Sequence, residues 1–288
     1  MRYIIRFVLL LSLTVSSCFW AGCKGISGAS EKEGIRFWTE TYDSPRPLSV
    51  SFLEVDLTDE RYEVIAMVAD DPDGNGPAEA KLTMPVDIFK KYNAIAAVNA
   101  NAFAKVSKKN KLPGWYRGCH VDIQGMAVCD GLVRSPAQVK PGSWHALWFD
   151  EKGLAHIGYA RKIKNPRQAV GDWWGVLLKD GVINMPKGGS LHPRTVAGIA
   201  DGGKRLIVAV VDGRQKGYSE GMSMYELADM LKKKGCTDAV NLDGGGSSIM
   251  LRSSDGLKKI ETLNRPSGGL HRPVPVMLGV RKRKKSSL

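Results

Sequence analysis

Short apolar runs broken by Asp-Gly and Lys-Gly turns recur along most of this chain, and they constrain its fold more than any other feature. Asp130-Gly131 lies between residues 126–129 and 132–135, a strong hairpin signal because Asp and Gly tolerate the positive φ a tight turn requires. Lys152-Gly153 and Lys179-Asp180-Gly181 play the same part further on. Asp201-Gly202-Gly203-Lys204 joins residues 195–200 to 206–211. Residues 49–55 and 62–68 alternate loosely and are expected to pair. Ser223-Met224-Tyr225-Glu226 has the form of a capping box. Leu227, Met230 and Leu231 then supply an apolar face, and Gly235 ends the helix. A second, shorter helix is expected from a Thr83 cap through Tyr92, with Pro85 in its first turn. The apolar strands 206–211 and 239–242 flank the longer helix, which predicts a right-handed crossover with parallel neighbours. The expectation is one mixed α+β domain, a strand-rich sheet with hairpins and a few packed helices.

The first residues read as a leader. Arg2 and Arg6 precede an apolar stretch over 7–15 and then Ser16-Ser17-Cys18, the layout of a secretory signal over 1–17. The stretch falls short of the ~20 residues that span a bilayer. Val15-Ser16-Ser17-Cys18 resembles a bacterial lipobox, which makes Cys18 the expected lipidation site, with Cys23 a second match. On this reading 18–34 is a tether, 35–280 the domain and 281–288 a basic tail. The product is an exported, membrane-anchored lipoprotein facing the periplasm or cell exterior.

The formal charge is +13, with two of those charges in the leader and five in the tail, so the body carries about +6. That bias suits anionic glycans or phosphates, and equally simple solubility. No zinc-finger spacing or recognition-helix pattern is present, so nucleic acid is not an expected partner. Cys119 and Cys129 flank a turn and could form a disulfide in an oxidising compartment. Cys236, behind a helix exit, is expected as a small buried hydrophobe. Residues 70–77 are rich in Asp, Gly and Pro but lack the closing Glu of a calcium loop, and read as a plain loop.

Three apolar strands end in polar clusters: Asn99-Ala100-Asn101, Asp212-Gly213-Arg214 and Asp243-Gly244-Gly245-Gly246-Ser247-Ser248. Strand carboxyl ends that converge on one edge make a ligand site. Consecutive glycines let backbone N–H groups approach a phosphate as a concave nest, with Ser247 or Ser248 adding a hydroxyl. A tight packing turn would use the same residues. Arg194 and Arg214 are cationic partners of the right geometry for phosphate, or surface ion pairs. His120, His145 and His192 could move protons, but no nucleophile is paired with them and no Gly-x-Ser-x-Gly elbow is present.

Arg194-Thr195, Val211-Asp212-Gly213-Arg214-Gln215, Ser219-Glu220-Gly221-Met222 and the string from Asn241 to Ser248 together resemble the phosphodiester glycosidase family. Asn264-Arg265-Pro266-Ser267 and His271-Arg272-Pro273-Val274 fit the same pattern, so the resemblance covers roughly residues 95–280. Two departures bear on sugar specificity. Asn99-Ala100-Asn101-Ala102-Phe103 stands where many relatives carry Asn-Gly-x-Phe-Phe, and His271 where Glu often precedes Arg-Pro-Val. The resemblance implies cleavage between an anomeric carbon and a phosphodiester oxygen. Asp243 and Asp212 would be catalytic. Arg194, Arg214, Gly244, Gly245, Gly246 and Ser247 would hold the phosphate, Asn99 and Asn101 would reach sugar hydroxyls, and Glu220 is a reserve carboxylate. The expected partner is a phosphorylated glycan or sugar-1-phosphodiester, with no cofactor. Two alternatives stay open at this point: a metal-dependent phosphodiesterase with both aspartates as ligands, and a non-catalytic module that binds phosphoglycans.

Overall fold

A computed structural model describes residues 23–32, 34–106, 112–137, 144–171, 175–254 and 257–283. The leader and Cys18 lie outside the described residues. Strands are numbered along the chain. The largest sheet has the order β1 (Cys23–Lys32), β2 (Ile35–Tyr42), β3 (Leu48–Asp56), β17 (Arg205–Val211), β16 (Arg194–Ala200), β18 (Asp238–Asn241), β14 (Val176–Lys179) and β15 (Val182–Ile183). A second sheet runs β20 (Ile260–Thr262), β19 (Met250–Ser253), β6 (Ala94–Asn99), β21 (Val276–Lys282) and β4 (Tyr62–Val68). A third runs β10 (Leu132–Ser135), β9 (Ala127–Cys129), β13 (Gln168–Gly171), β11 (His145–Phe149) and β12 (Ala155–Tyr159). A small sheet joins β5 (Ala80–Lys81), β8 (His120–Ile123) and β7 (Phe103–Lys105). Two α-helices accompany them among the described residues, α1 (Pro85–Lys91) and α2 (Met224–Lys233).

The eight-stranded sheet is the middle layer, which explains why its strands read as continuous apolar runs rather than alternating ones. In β17, Leu206, Val208 and Val210 enter the core shared with the second sheet. Their neighbours Ile207, Ala209 and Val211 enter the opposite core, under α2. The helix closes that side with Leu227, Met230 and Leu231, each worth roughly 1.5–3 kcal/mol when fully buried. Its capping box is present as expected: Ser223 Oγ accepts from Glu226 N, and the Glu226 carboxylate accepts from Ser223 N at 2.8 Å. At the far end Lys234 reaches the buried Glu40 carboxylate at 2.7 Å, which ties the helix exit to β2.

Several expectations are corrected. The strand–helix–strand unit exists, but β17 and β18 are not neighbours. Both pair antiparallel with β16 between them, so they run the same way without touching as a pair. The described strand pairs are all antiparallel. β3 and β4 do not pair: β3 lies between β2 and β17, and β4 pairs with β21. Nothing local distinguishes these partners, since each run is short and apolar. Residues 23–32, expected within a loose tether, form the outer strand of the large sheet. Arg281, expected in a free tail, belongs to β21 and pairs with Glu63 at 2.8 Å. Met84 rather than Thr83 holds the cap position of α1, because the Thr83 backbone bridges Val274 instead. Cys119 and Cys129 are free thiols, and Cys236 is buried as expected.

Candidate active site

The glycine-rich turn is where the chain crosses from the middle sheet to the second sheet. Leu242 N still donates to Thr195 O of β16, whereas Asp243 N donates to Ala100 O, just past the end of β6. By Met250 the chain has joined the second sheet beside β6. Asn99 holds the crossing together. Its Oδ1 accepts from Thr195 Oγ1 at 2.7 Å and from Ile249 N at 3.1 Å, and its Nδ2 donates to Asp243 O at 2.6 Å. The three polar strand ends therefore do converge, but from two packed sheets rather than one parallel edge.

Asn99 is buried and fully engaged, so its expected contact with sugar hydroxyls gives way to a structural one. Asn101 is buried as well and donates to Gln124 O at 3.0 Å and Met126 O at 3.1 Å. The nest of N–H groups is also revised. Gly244 N donates to Asp243 Oδ1, Gly245 N to Pro193 O, Ser247 N to Gly244 O and Ser248 N to Gly245 O. Three of these donors are satisfied inside the turn and Gly245 N by the Pro193 carbonyl, and the turn closes as a short 3₁₀ coil over Gly245–Ser247.

The glycines instead permit close approach. A Cβ on Gly244 would stand 2.8 Å from Pro193 O, and one on Gly246 would stand 2.2 Å from an Arg272 nitrogen. A Cβ on Gly245 would meet Arg214 at 3.3 Å. The segment from His192 to Arg194 is gripped likewise, since a Cβ on Gly213 would lie 2.6 Å from Pro193 N. Only side chains of no size let four chain segments meet here.

Three guanidinium groups result: Arg194 from the start of β16, Arg214 after β17, and Arg272 from the loop before β21. None of them has an ion pair within 4.0 Å among the described residues. Arg194 Nε donates to Met222 O at 3.3 Å, Arg214 donates to His192 Nδ1 at 3.4 Å, and Arg272 reaches Ser247 Oγ at 3.5 Å. Burial and the neighbouring Arg214 charge push Arg194 below its ordinary range. Burial acts the same way on Arg272, which the Asp243 charge partly offsets. His192 is held below its ordinary value by burial and then by the Arg194 and Arg214 charges. A cluster of cations at such proximity, without matching anions, is arranged for an anion from outside.

The two aspartates differ sharply. Asp212 is buried and accepts from Arg265 N with both oxygens, at 3.0 and 2.9 Å, from Asn264 Nδ2 at 2.9 Å and from Tyr218 Oη at 3.1 Å. Burial holds its pKa above the ordinary carboxylate value, and these donors offset part of that rise. Asp243 is half-buried and accepts from Gly244 N at 2.9 Å and from Ser247. Burial pushes its carboxyl up to about 6, against the pull of Ser247, Arg272 and Gly244. It therefore keeps room for another ligand beside the arginines. Glu220 is tied to the site through its backbone: its carbonyl accepts from Arg214 N at 3.3 Å and its N–H donates to Pro47 O.

Arg272, Asn264 and Tyr218 were not singled out as site residues in the sequence. Two of them stand in strings that fit the family pattern, Asn264-Arg265-Pro266-Ser267 and His271-Arg272-Pro273-Val274, and an arginine beside a proline was the available signal. Tyr218 had none.

Comparisons with known proteins address the family and the fold. The phosphodiester glycosidase family matches over residues 92–281. The chain is 26% identical over 177 residues to the SPbeta prophage-derived uncharacterized protein YomE of Bacillus subtilis (strain 168). That match takes in 57% of this chain and about a quarter, 25%, of the relative's length. The catalytic domain of zebrafish N-acetylglucosamine-1-phosphodiester alpha-N-acetylglucosaminidase, auto-inhibited by its pro-peptide, superposes with a TM-score of 0.60 at 20% identity. That superposition covers 90% of this chain and 88% of the other. A Burkholderia pseudomallei K96243 protein described as exported gives 0.57 at 17% identity, over 84% and 75% of the two chains. At such identities the two structures speak to the fold alone, and the match over residues 92–281 makes this chain a member of the phosphodiester glycosidase family.

Proposed function

We propose that this protein hydrolyses the bond between a sugar's anomeric carbon and a phosphodiester oxygen, releasing a free sugar and a phosphomonoester. The observation that carries the reading is the set of Arg194, Arg214 and Arg272 around Asp243, three cations with no ion pair among the described residues. A phosphodiester is the anion whose geometry suits such forks. Its phosphate leaves as a stable anion, so no strong general acid is required. The remaining demand is a carboxylate at the anomeric centre, where positive charge develops. Asp243 is that group, as nucleophile or as base for water. Asp212 is reassigned from that centre to a positioning role, since its oxygens hold Asn264, Arg265 and Tyr218. The name of the zebrafish relative supports a sugar-1-phosphodiester as the substrate class.

Hydrolysis of N-acetylglucosamine 1-(methyl phosphate) in ¹⁸O-labelled water tests the bond. Label in the sugar hydroxyl is expected, and label in the phosphate would sink the reading in favour of P–O cleavage. Export with a lipid at Cys18 belongs to the same proposal, supported by the leader pattern. Labelled palmitate should enter the protein and be lost in Cys18→Ser.

A further inference from the structure

A groove of about 790 Å³ lies away from the arginines, between the edge of the third sheet and β14. Its volume falls within the range of small-ligand sites. Trp148 stacks on His156 with ring centres 4.4 Å apart, and His145 meets Tyr159 at 4.4 Å. Trp148 pairs with His156 and His145 with Tyr159 in the register of β11 and β12, three positions apart. Successive strand residues point to opposite faces, so the ring pairs flank the hairpin on both sides. The groove thus wraps the free edge of β12. A Cβ on Gly158 would meet nothing within 4 Å, so the face of β12 on that side is open at its middle.

Charge gives the groove its sign. Lys162 and Lys164 are exposed on its rim with no ion pair among the described residues, and Lys162 Nζ sits 5.6 Å from the centre of the Tyr159 ring. Lys179, also on the wall, is already matched by Asp238 at 2.8 Å. One wall of the groove is linked to the site through β14 and β18. It follows β14 from Lys179 to Val176, and Val176 is paired with Val240. Asp243 stands three residues beyond Val240, about 10 Å along an extended chain.

We propose that this groove is an accessory subsite for a chain of phosphodiester-linked sugars, so that the substrate is polymeric rather than a single sugar-1-phosphodiester. A large ring stacked on a histidine keeps one face for a ligand, and the C–H face of a pyranose needs only one. Hydroxyls meet the backbone groups of the β12 edge, which no strand among the described residues pairs with. The intervening phosphates meet Lys162 and Lys164, which are charge-complementary to them. This assignment rests on the reaction proposed above, because the polymer entering the groove is the one whose end is cut at Asp243.

The test pairs poly-(N-acetylglucosamine 1-phosphate) with N-acetylglucosamine 1-(methyl phosphate) as substrates for the full chain. Tyr159→Ala and the double variant Lys162→Ala/Lys164→Ala change exposed side chains, and thermal melting confirms that both remain folded. Each is expected to raise KM for the polymer roughly tenfold and to leave the small substrate unchanged. Affinity electrophoresis in gels containing the polymer should show wild-type protein retarded and both variants released. A single-stranded oligonucleotide of equal charge is expected to retard the protein far less. Unchanged polymer kinetics and retardation in the variants would overturn the subsite while leaving the reaction intact. Equal retardation by the oligonucleotide would overturn it too, as bare charge attraction. If neither substrate is cleaved but the polymer is bound through Tyr159 and the lysines, the reaction falls and the subsite stands.

Discussion

Asp212 and Asp243 occupy matching places, each directly after an apolar strand of the middle sheet and each followed by glycine. Their surroundings separate them. Asp212 is closed over by Asn264, Arg265 and Tyr218, all from later in the chain, and both its oxygens accept hydrogen bonds from them. Asp243 has mainly its own turn for company, and its proton is held to about pH 6 by lack of solvent. An aspartate whose charge is satisfied stabilises a loop, whereas one whose charge is left wanting can act on a substrate. The difference between them is made by residues six to fifty-three positions away, not by the Asp-Gly pair itself.

The contrast can be broken most directly at Asp243. Asp243→Asn should lower kcat by about a thousandfold or more, with the fold intact by circular dichroism. Near-normal turnover would remove its role. Asp212→Asn should act first on stability, by about 2–4 kcal/mol in denaturant titration, because an amide nitrogen would face donors in place of an acceptor. Its activity loss should be the smaller of the two, and a kcat collapse matching that of Asp243→Asn would erase the distinction. Arg272→Ala is expected to raise KM about 10–100-fold with a lesser change in kcat. Arg272→Lys should restore only part of this, since an ammonium lacks the fork. An effect confined to Tm would make Arg272 structural.

The smallest expected effect concerns pH. Asp243 in the fold holds its proton to about 6, whereas an unfolded aspartate releases it near 3.8. The group thus favours the fold fully below the lower value, and that contribution is lost as pH rises through the higher one. Asp243→Asn should therefore raise Tm at pH 7.5, by an amount equivalent to about 1–3 kcal/mol, and change it little at pH 4.5. Activity runs the opposite way, rising through about pH 6 as the carboxylate forms. A Tm gain at both pH values alike would dissociate the effect from ionisation.

Much of this could be read from residue order, though unevenly. The capping box of α2, the Asp130-Gly131 hairpin and the Asp-Gly-Gly-Gly-Ser-Ser string are local signals, written in adjacent residues, and each is present as expected. Partners of β3 and β4 depend on which distant apolar run is nearest in space, and spacing along the chain carries no record of that. The same holds in the site. Asn99 was expected to face the sugar, because a polar residue at a strand end looks available. Its amide is taken up by Thr195, Ile249 and Asp243, residues 96 to 150 positions away. The glycine triplet was expected to offer N–H groups, yet its worth lies in close approach, of Gly244 to the Pro193 backbone and of Gly246 to Arg272, where a methyl would force a shift.

The Asn99 junction has one more consequence. Because the site is built from strands of two sheets that Asn99 ties together, neither sheet alone holds the whole of it. The proposed activity therefore requires both halves of the domain to have docked, and turnover would be a readout of cooperative assembly. A chain trapped with its sheets formed but apart would show full β-structure in the far ultraviolet and no enzyme at all.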